Sequence, residues 1–411
     1  MTVADLESAL GQGPGWPPGL PPRGPLGHVK VLDLSRVLAG PYCCLVLADL
    51  GADVLKVERP GVGDDTRHWG PPFHGADAAY FLSVNRDRRS VTLDLTRAAG
   101  RSVVTRLAQA ADVVVENFLP RRLAALGLAD LREQTAAVWV SVRGAGGDGP
   151  DGDKPGYDVM AQARSGLMSV TGTAEPTKVG VAVTDIVTGL YAAVGAVAGL
   201  VARGRADSAA PLRVEVGLLE SAVSMLVNQA ANAWVGGAAP APTFAGNDHP
   251  NIAPYGPVPC ADRPLVVGAG NDTQFAALCA AVGLPARPGW VTNPGRVADR
   301  VALADALAEV FGRRTAGEWA RILDDADVPC AVVQDLAALP SDPHIAAVGL
   351  VQEVAHPAGP VRVVGSPYRL DGGRPRVRRA PPLLGQHTAE VLTALGLSDA
   401  QVEEVTGAHG G

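Results

Sequence analysis

VKVLDLSRVLAGPYCCLVLADLGADVLKVE, residues 29–58, is the stretch whose reading decides the fold class. It opens on an apolar β-like run, VKVLDL, passes into a helical pattern over 41–50, and closes on a second β-like run, DVLKVE. Gly51 stands where a helix C-cap favours a left-handed residue, and the second strand follows after Ala52. The three pieces make a βαβ unit. Further along, the alternation repeats: a strand SVTLDL over 90–95, a helix over 98–110, a strand VVVE over 113–116, a short helix over 120–126 and a strand VWVSV over 138–142. Strands that are apolar on both faces need helices on both sides of a parallel sheet. The first half of the chain is therefore predicted to be an open α/β domain.

Beyond it, a glycine-rich loop, RGAGGDGPDGDKPG (143–156), leads to helical patterns around 159–170 and 185–203. A strand LRVEV and a helix over 218–234 precede a Pro/Gly/Ala segment, 236–259, that reads as a crossing or hinge. From Arg263 a second block begins with PLVVGAG, continues through a helix over 273–282 and two more between 301 and 323, and ends on the strand VPCAVV. It is small and mixed α/β. The strand-like runs VGLVQEV and GPVRVVG, a helix over 388–395 and a last helix behind a Ser398–Gln401 capping box complete the pattern. Residues 1–25 are acidic early and lack an apolar h-region. They read as a flexible Pro/Gly tail rather than a secretory or transit signal.

At roughly 100 to 200 residues per domain, 411 residues predict two or three domains. A chain that is 47% hydrophobic and 19% charged has ample apolar surface to bury and too little charge for disorder. The 49 glycines and 34 prolines follow no three-residue period, which excludes a collagen-like chain and implies many tight turns. A net charge of -7 provides no basic field for a polyanion, so no nucleic-acid partner is expected. Five scattered cysteines without a CxxC fit a reducing compartment, the cytoplasm, and support neither a disulfide framework nor zinc. The apolar run IVTGLYAAVGAVAGLVA, 186–202, is at the short limit for crossing a bilayer and reads instead as a buried core helix, with no membrane partner.

Several residues stand out as candidates. The first βα turn, DLSRVLAGPY (33–42), is where an open sheet presents a helix N-terminus to a ligand, but it carries no GxGxxG, so ordinary dinucleotide binding is disfavoured. Arg59, Arg67, Arg86, Arg88 and Arg89 fall in apparent loops beyond strand ends, where guanidinium forks suit phosphate or carboxylate ligands and solvated loop surface is the plainer reading. Asp185 precedes a strongly apolar helix. It is either an N-cap or a carboxylate kept ionised in a water-poor site, the state a nucleophile needs. Tyr157 and Asp158 stand at another helix start, where a packed ring and an N-cap are the plainer readings. None of the eight histidines has HxH or HExxH spacing with an acidic partner, and no GxSxG supports a serine nucleophile.

Taken together, VKVLDLSRVLAGP, LADLGADVLKVERPGVGDDTR, YFLSVNRDRRSVTLDL, ADVVVENFLP, GYDVMAQARSGLMSVTG, VTDIVTGLYAAVGAVAGL, VVGAGNDTQFAALC and PPLLGQHT resemble, in order, the class III (CaiB/BaiF-type) CoA-transferase family. The resemblance implies a Rossmann-like large domain built from both chain ends, 26–212 and 345–411. A linker helix and crossing segment over 213–259 and a small α/β domain over 260–344 complete the subunit. Two subunits would interlock as rings in a homodimer. It assigns Asp185 as the catalytic aspartate, which would take up the donor acyl group as a mixed anhydride and then CoA as a thioester. It assigns Val37, Ala39, Arg59, Leu93, Leu95, Asn117, Phe118 and Tyr157 to the CoA path. Where some members carry a basic residue this chain has Ala125, which passes phosphate contact to Arg121 or Arg122.

Coenzyme A is then a substrate and no cofactor is permanently bound; a carboxylic acid is the other partner. The 244–256 region lacks the GGGGQ-type loop of formyl-CoA transferases, which disfavours formate and oxalate. GDDTRHWGPPF, AVTDIVTGLYAA, VVGAGNDTQFA and PPLLGQHT look most like the branch that moves CoA from succinyl-CoA to dicarboxylates, with Arg67 and its neighbours as candidate holders of the distal carboxylate. The alternative within the same fold is an α-methylacyl-CoA racemase. That chemistry needs two bases, and this chain has Tyr157 and Asn271 where racemases are expected to carry histidine and glutamate. A phenol is a poor base near neutral pH.

Overall fold

The computed structural model describes residues 3–205, 212–235, 246–285 and 287–406; 236–245 of the expected crossing segment, with Phe244, lie outside them. The described chain divides into two units. The first takes Met1–Ser165, Val181–Met225 and Pro343–Gly411, and the second takes Gly166–Gly180 and Leu226–Asp342.

In the first unit, helix α1 (Val3–Gln12) precedes the βαβ unit of β1 (Lys30–Asp33), α2 (Ala39–Asp49) and β2 (Asp53–Glu58). There follow α3 (Ala79–Val84), β3 (Arg88–Thr92), α4 (Ala98–Ala110), β4 (Val113–Glu116), α5 (Pro120–Ala125), β5 (Val138–Arg143), α6 (Asp158–Ser165), α7 (Val183–Arg205), β6 (Arg213–Gly217) and α8 (Leu218–Ser224). The strands form one sheet in the order β3-β2-β1-β4-β5-β6, parallel throughout. This is the doubly wound order. Leu32, Leu55 and Val114 point to one face, against α1 and α4. Val31, Val54 and Val113 point to the other, where Ala192 and Ala196 of α7 pack. The period-two alternation of buried residues on both faces is what a sheet sandwiched by helices requires.

The second unit holds a helix α9 (Val227–Val235) and a three-stranded antiparallel sheet of β7 (Tyr255–Val258), β8 (Leu265–Gly268) and β9 (Cys330–Val332). Its own core forms around Leu265, Val267, Phe275, Leu303 and Trp319. β7 lies within the stretch expected as crossing segment, because its backbone completes that sheet's edge. The helix expected over 218–234 is broken between α8 and α9, where Val227 has a positive φ of 30°.

Three further expectations are corrected. Residues 3–25 are not a loose tail: Leu6 and Leu10, one turn apart on α1, and Trp16 are buried in the large unit's core. The Trp16 indole N–H donates to Asp53 at 2.8 Å, and Arg89 donates to the Pro18 carbonyl. The strand expected over 90–95 runs over Arg88–Thr92 instead. Both arginines are strand residues whose guanidinium groups are paired inside the protein, so they escape a pattern that equates charge with loop.

The apolar run 186–202 is buried on one side only. Gly195 and Gly199 of α7 lie so close to the sheet that an added Cβ would come within 2.5 Å of Val214 and 2.6 Å of Val138. The opposite side leaves Leu190, Tyr191, Val194 and Val201 exposed, Val194 at 67%. Gly189 makes the crossing of α7 with α2, where a Cβ would stand 2.7 Å from the Ala39 carbonyl oxygen. Gly189→Ala is expected to cost about 1–3 kcal/mol in urea unfolding, the usual penalty of overpacking.

Candidate active site

Strand order reverses between β1 and β4, and in an open sheet that reversal leaves a crevice at the carboxyl ends of the strands. A cavity of 380 Å³ lies there. Its walls are the turn after β1 (Arg36 to Ala39), the turn after β4 with the start of α5 (Asn117 to Arg122), the end of β5, the loop residues Lys154 to Tyr157, and Asp185.

Of the expected site residues, Val37, Ala39, Asn117, Phe118, Arg122, Tyr157 and Asp185 all line this one cavity, as does Arg121. Arg59, Leu93 and Leu95 do not. Arg59 is exposed just past β2, Leu93 is 1% exposed in the core, and Leu95 packs partly buried against that core. They lie one and two strands beyond β1 along the same carboxyl edge.

Asp185 sits in the first turn of α7, 9% exposed, and shares a cavity wall with Ala39, the first residue of α2, whose backbone N–H favours its ionised form. It does not cap α7. That task falls to Asp158 at the head of α6, whose Oδ1 accepts from the Thr184 N–H at 2.9 Å and from the Thr184 hydroxyl at 2.7 Å. Gln162 donates to the other oxygen at 2.7 Å. The two carboxylates are thus neighbours across the α6–α7 packing. Burial first, and the charge of Asp158 second, push the Asp185 carboxyl up to about 7, against the opposing pull of the Ala39 N–H. The expectation of a fully ionised Asp185 is corrected accordingly: the helix start and one N–H do not outweigh desolvation and a like charge. A carboxyl poised near neutrality remains able to act as a nucleophile in its ionised fraction.

Tyr80 of α3 was not picked out by the sequence pattern. Its phenol is pushed up to about 12 by burial and then by the charges of Asp185, Asp158 and Asp64, and its ring stands edge-on to Trp69 at 5.4 Å. A neutral hydroxyl therefore faces the same acidic region. The only sequence signal was its place in the YFLSVN stretch.

The cavity's cations have distinct roles. Arg121 and Arg122 are exposed at the rim. Arg143 is buried and spent on Glu116 at 2.9 Å and on the Phe118 carbonyl at 2.9 Å. Glu116 in turn accepts from the Phe118 N–H at 2.8 Å and from the Ser141 hydroxyl, so it fixes the turn after β4 from below. The Asn117 amide is engaged as well: it accepts from the Arg36 N–H at 3.0 Å and donates to the Arg36 carbonyl at 2.8 Å, tying the two turns together.

Four of the five arginines expected near substrate are internal instead. Arg67 is 2% exposed and forms a fork with Glu58 at 2.7 and 2.8 Å, a pair with Asp77 at 2.7 Å and a stack over Phe81 at 3.6 Å. Arg86 binds Asp49 and Asp87, Arg88 binds Asp33, and Arg89 binds Asp53. Arg67 therefore has no guanidinium edge left for a substrate carboxylate. Among the described residues, no group of three or more His, Cys, Asp or Glu is arranged to hold a metal ion. Asn271, in the second unit, caps its own helix Asp272–Val282 through the Gln274 N–H at 2.9 Å.

Residues 26–388 match the model of CoA-transferase family III. The chain is 40% identical over 377 residues to the human succinyl-CoA:glutarate CoA-transferase, covering 90% of this chain and 85% of that protein. It is 38% identical over 386 residues to the succinate–glutarate CoA-transferase of Agrobacterium fabrum, covering 90% and 96%. A crystal structure of a CaiB/BaiF family protein from Brucella suis superposes with a TM-score of 0.80 at 36% identity, over 90% of this chain and 99% of that one. The doubly wound sheet, the cavity at its reversal point and these likenesses agree, and the chain belongs to CoA-transferase family III, an enzyme class that works on CoA thioesters.

Proposed function

We propose that this enzyme moves CoA from succinyl-CoA to a dicarboxylic acid such as glutarate, with Asp185 as the nucleophile. The observation that carries the reading is the Asp185 carboxyl, nearly buried, beside the head of α2 and opening onto the crevice cavity. The names of the similar human and Agrobacterium proteins supply the choice of donor and acceptor.

An Asp185 oxygen attacks the thioester carbonyl of succinyl-CoA, the C–S bond breaks, and a succinyl–aspartyl anhydride and CoA thiolate result. The thiolate attacks the aspartyl carbonyl, the anhydride C–O bond breaks, and succinate leaves from an aspartyl-CoA thioester. Glutarate then attacks that thioester through one carboxylate oxygen, releasing the thiolate and forming a glutaryl–aspartyl anhydride. Attack of the thiolate on the glutaryl carbonyl frees Asp185 and yields glutaryl-CoA. The thioester formed is of similar energy to the thioester consumed, so the net exchange is near thermoneutral and needs no nucleotide hydrolysis. CoA enters and leaves as substrate, and no cofactor is resident.

Along the CoA path, the exposed Arg121 and Arg122 suit the phosphates, Val37, Ala39, Asn117 and Phe118 line the approach, and Tyr157 borders the thioester end. Arg59, Leu93 and Leu95 extend the same sheet edge toward the nucleotide. The exposed apolar side of α7, from Leu190 to Val201, supports an interlocked homodimer, and five free thiols suit the cytoplasm. Succinyl-CoA offered with a panel of mono- and dicarboxylic acids, read by mass spectrometry of the acyl-CoA products, tests the substrate reading. Glutarate or a near homologue is expected to turn over fastest; turnover of monocarboxylates alone would refute it.

Because only the ionised Asp185 attacks, transfer is expected to rise with pH through about 7. Asp158→Asn removes the like charge, which lowers the Asp185 pKa. The rising limb of the kcat profile is then expected to move to lower pH.

A further inference from the structure

Val37 is β-branched yet sits at φ 71°, in the left-handed region that such residues avoid. Around it, the polar backbone groups of the turn are held in sequence by side chains. The Ser35 N–H donates to Asp33 at 2.9 Å, and the Ser35 carbonyl accepts from the Lys56 ammonium at 2.8 Å. The Arg36 N–H and carbonyl are both taken by Asn117, and the Val37 N–H donates to both oxygens of Asp64, at 3.2 and 3.3 Å. Lys56 and Asp64 pair at 3.0 Å, with side chains fully buried. Thr66 donates to Asp64 from its N–H and from its hydroxyl, the latter at 2.8 Å. Neither Lys56 nor Asp64 lines the cavity. Two residues after Val37, α2 begins; its first residue, Ala39, lines the cavity wall beside Asp185, and the Ala39 N–H favours the ionised carboxylate.

We infer that Asp64, backed by Lys56, is a positioning residue for the transfer reaction: it holds Val37 in the left-handed conformation from which α2 starts with the Ala39 N–H aimed at Asp185. The inference rests on Asp185 as the nucleophile. A buried ion pair is a weak source of stability but a firm reference point for geometry. A strained turn persists only where its surroundings hold it. Small displacements of a reacting group cost large factors in rate. Besides the Ala39 N–H, Asp185 feels Asp158 from α6 and its charge acts on the Tyr80 phenol of α3, with Arg36, Arg143 and Lys154 around the cavity. These partners give Asp64→Asn two opposite signatures. Loss of a negative charge acting through space lowers the Asp185 pKa, whereas a displaced Ala39 N–H raises it.

The test is single-turnover formation of the covalent CoA adduct from succinyl-CoA, followed across pH in wild type, Asp64→Asn and Asp64→Asn/Val37→Gly. Positioning predicts a roughly 10- to 100-fold lower rate in Asp64→Asn. The KM for succinyl-CoA should change little, and the pH midpoint should move upward by several tenths of a unit. Glycine at 37 adopts the left-handed turn without strain and is expected to recover a large part of the rate. A downward or unmoved midpoint, or losses that simply add in the double variant, would overturn the inference. Where Asp64→Asn fails to fold, Thr66→Val removes only a hydroxyl bonded to Asp64 and should show the same pattern at smaller amplitude; a wild-type profile there overturns the inference too. If Asp185→Asn still forms the adduct, the nucleophile is wrong. If it does not, while Asp64→Asn behaves as wild type, only the positioning role fails.

Discussion

Asp185→Asn is expected to reduce CoA transfer by at least ~10⁴-fold, the scale at which loss of a covalent nucleophile is felt, and at the same time to make the protein more stable. The sign follows from the titration. The Asp185 carboxyl has an ordinary value of 3.8 and is raised to about 7 in the fold, so the folded state holds its proton more tightly than the unfolded chain. Its contribution to stability is fully present below pH ~4 and is lost as pH rises to about 7. Above that, keeping the ionised acid buried costs up to ~4 kcal/mol. Asparagine carries no such cost. Urea unfolding of the two proteins should therefore agree near pH 4 and diverge by a few kcal/mol at pH 8, with the variant the more stable. Equal stabilities at pH 8 would mean that Asp185 is solvated or already paired.

Arg67→Met is expected to have the largest effect on folding, about 3–5 kcal/mol of destabilisation, because it leaves Glu58 and Asp77 as buried carboxylates without the guanidinium that pairs with both. The matched measurement is acceptor kinetics on whatever protein remains folded. With the guanidinium enclosed by Glu58, Asp77, the Pro382 carbonyl and the Phe81 ring, KM for the dicarboxylate should stay near wild type. A protein of normal stability with a sharply raised acceptor KM would return Arg67 to the substrate-binding role that its loop-like context suggested.

The contrast between these two residues shows what the sequence conveyed. The βαβ alternation, the parallel sheet and the position of Asp185 at the start of an apolar helix were legible because period-two apolar runs and helix boundaries are local properties. The fate of the arginines was not. RDRRS reads as solvated loop, yet Arg88 and Arg89 are strand residues, because the acids that neutralise them, Asp33 and Asp53, come from other strands. In the same way nothing local marks Leu6 and Leu10 as core residues, since the surface they cover is supplied by α4. The protonation of Asp185 was read in the wrong direction for a related reason. Its helix start is visible in sequence, whereas Asp158, which opposes ionisation, meets it only through the packing of α6 on α7. Asn117 lines the cavity, and the clamp it forms on Arg36 depends on the adjacency of β1 and β4, which no local pattern shows.

Asp185 itself is expected to carry CoA between donor and acceptor. Intact-mass spectrometry after brief incubation with succinyl-CoA in the absence of acceptor measures this directly. The expected spectrum contains a species heavier by CoA less one water, localised by proteolysis to the peptide containing Asp185, lost in Asp185→Asn and discharged on adding glutarate. An enzyme that turns over succinyl-CoA and glutarate yet shows no such species, or shows it undiminished in Asp185→Asn, would contradict it.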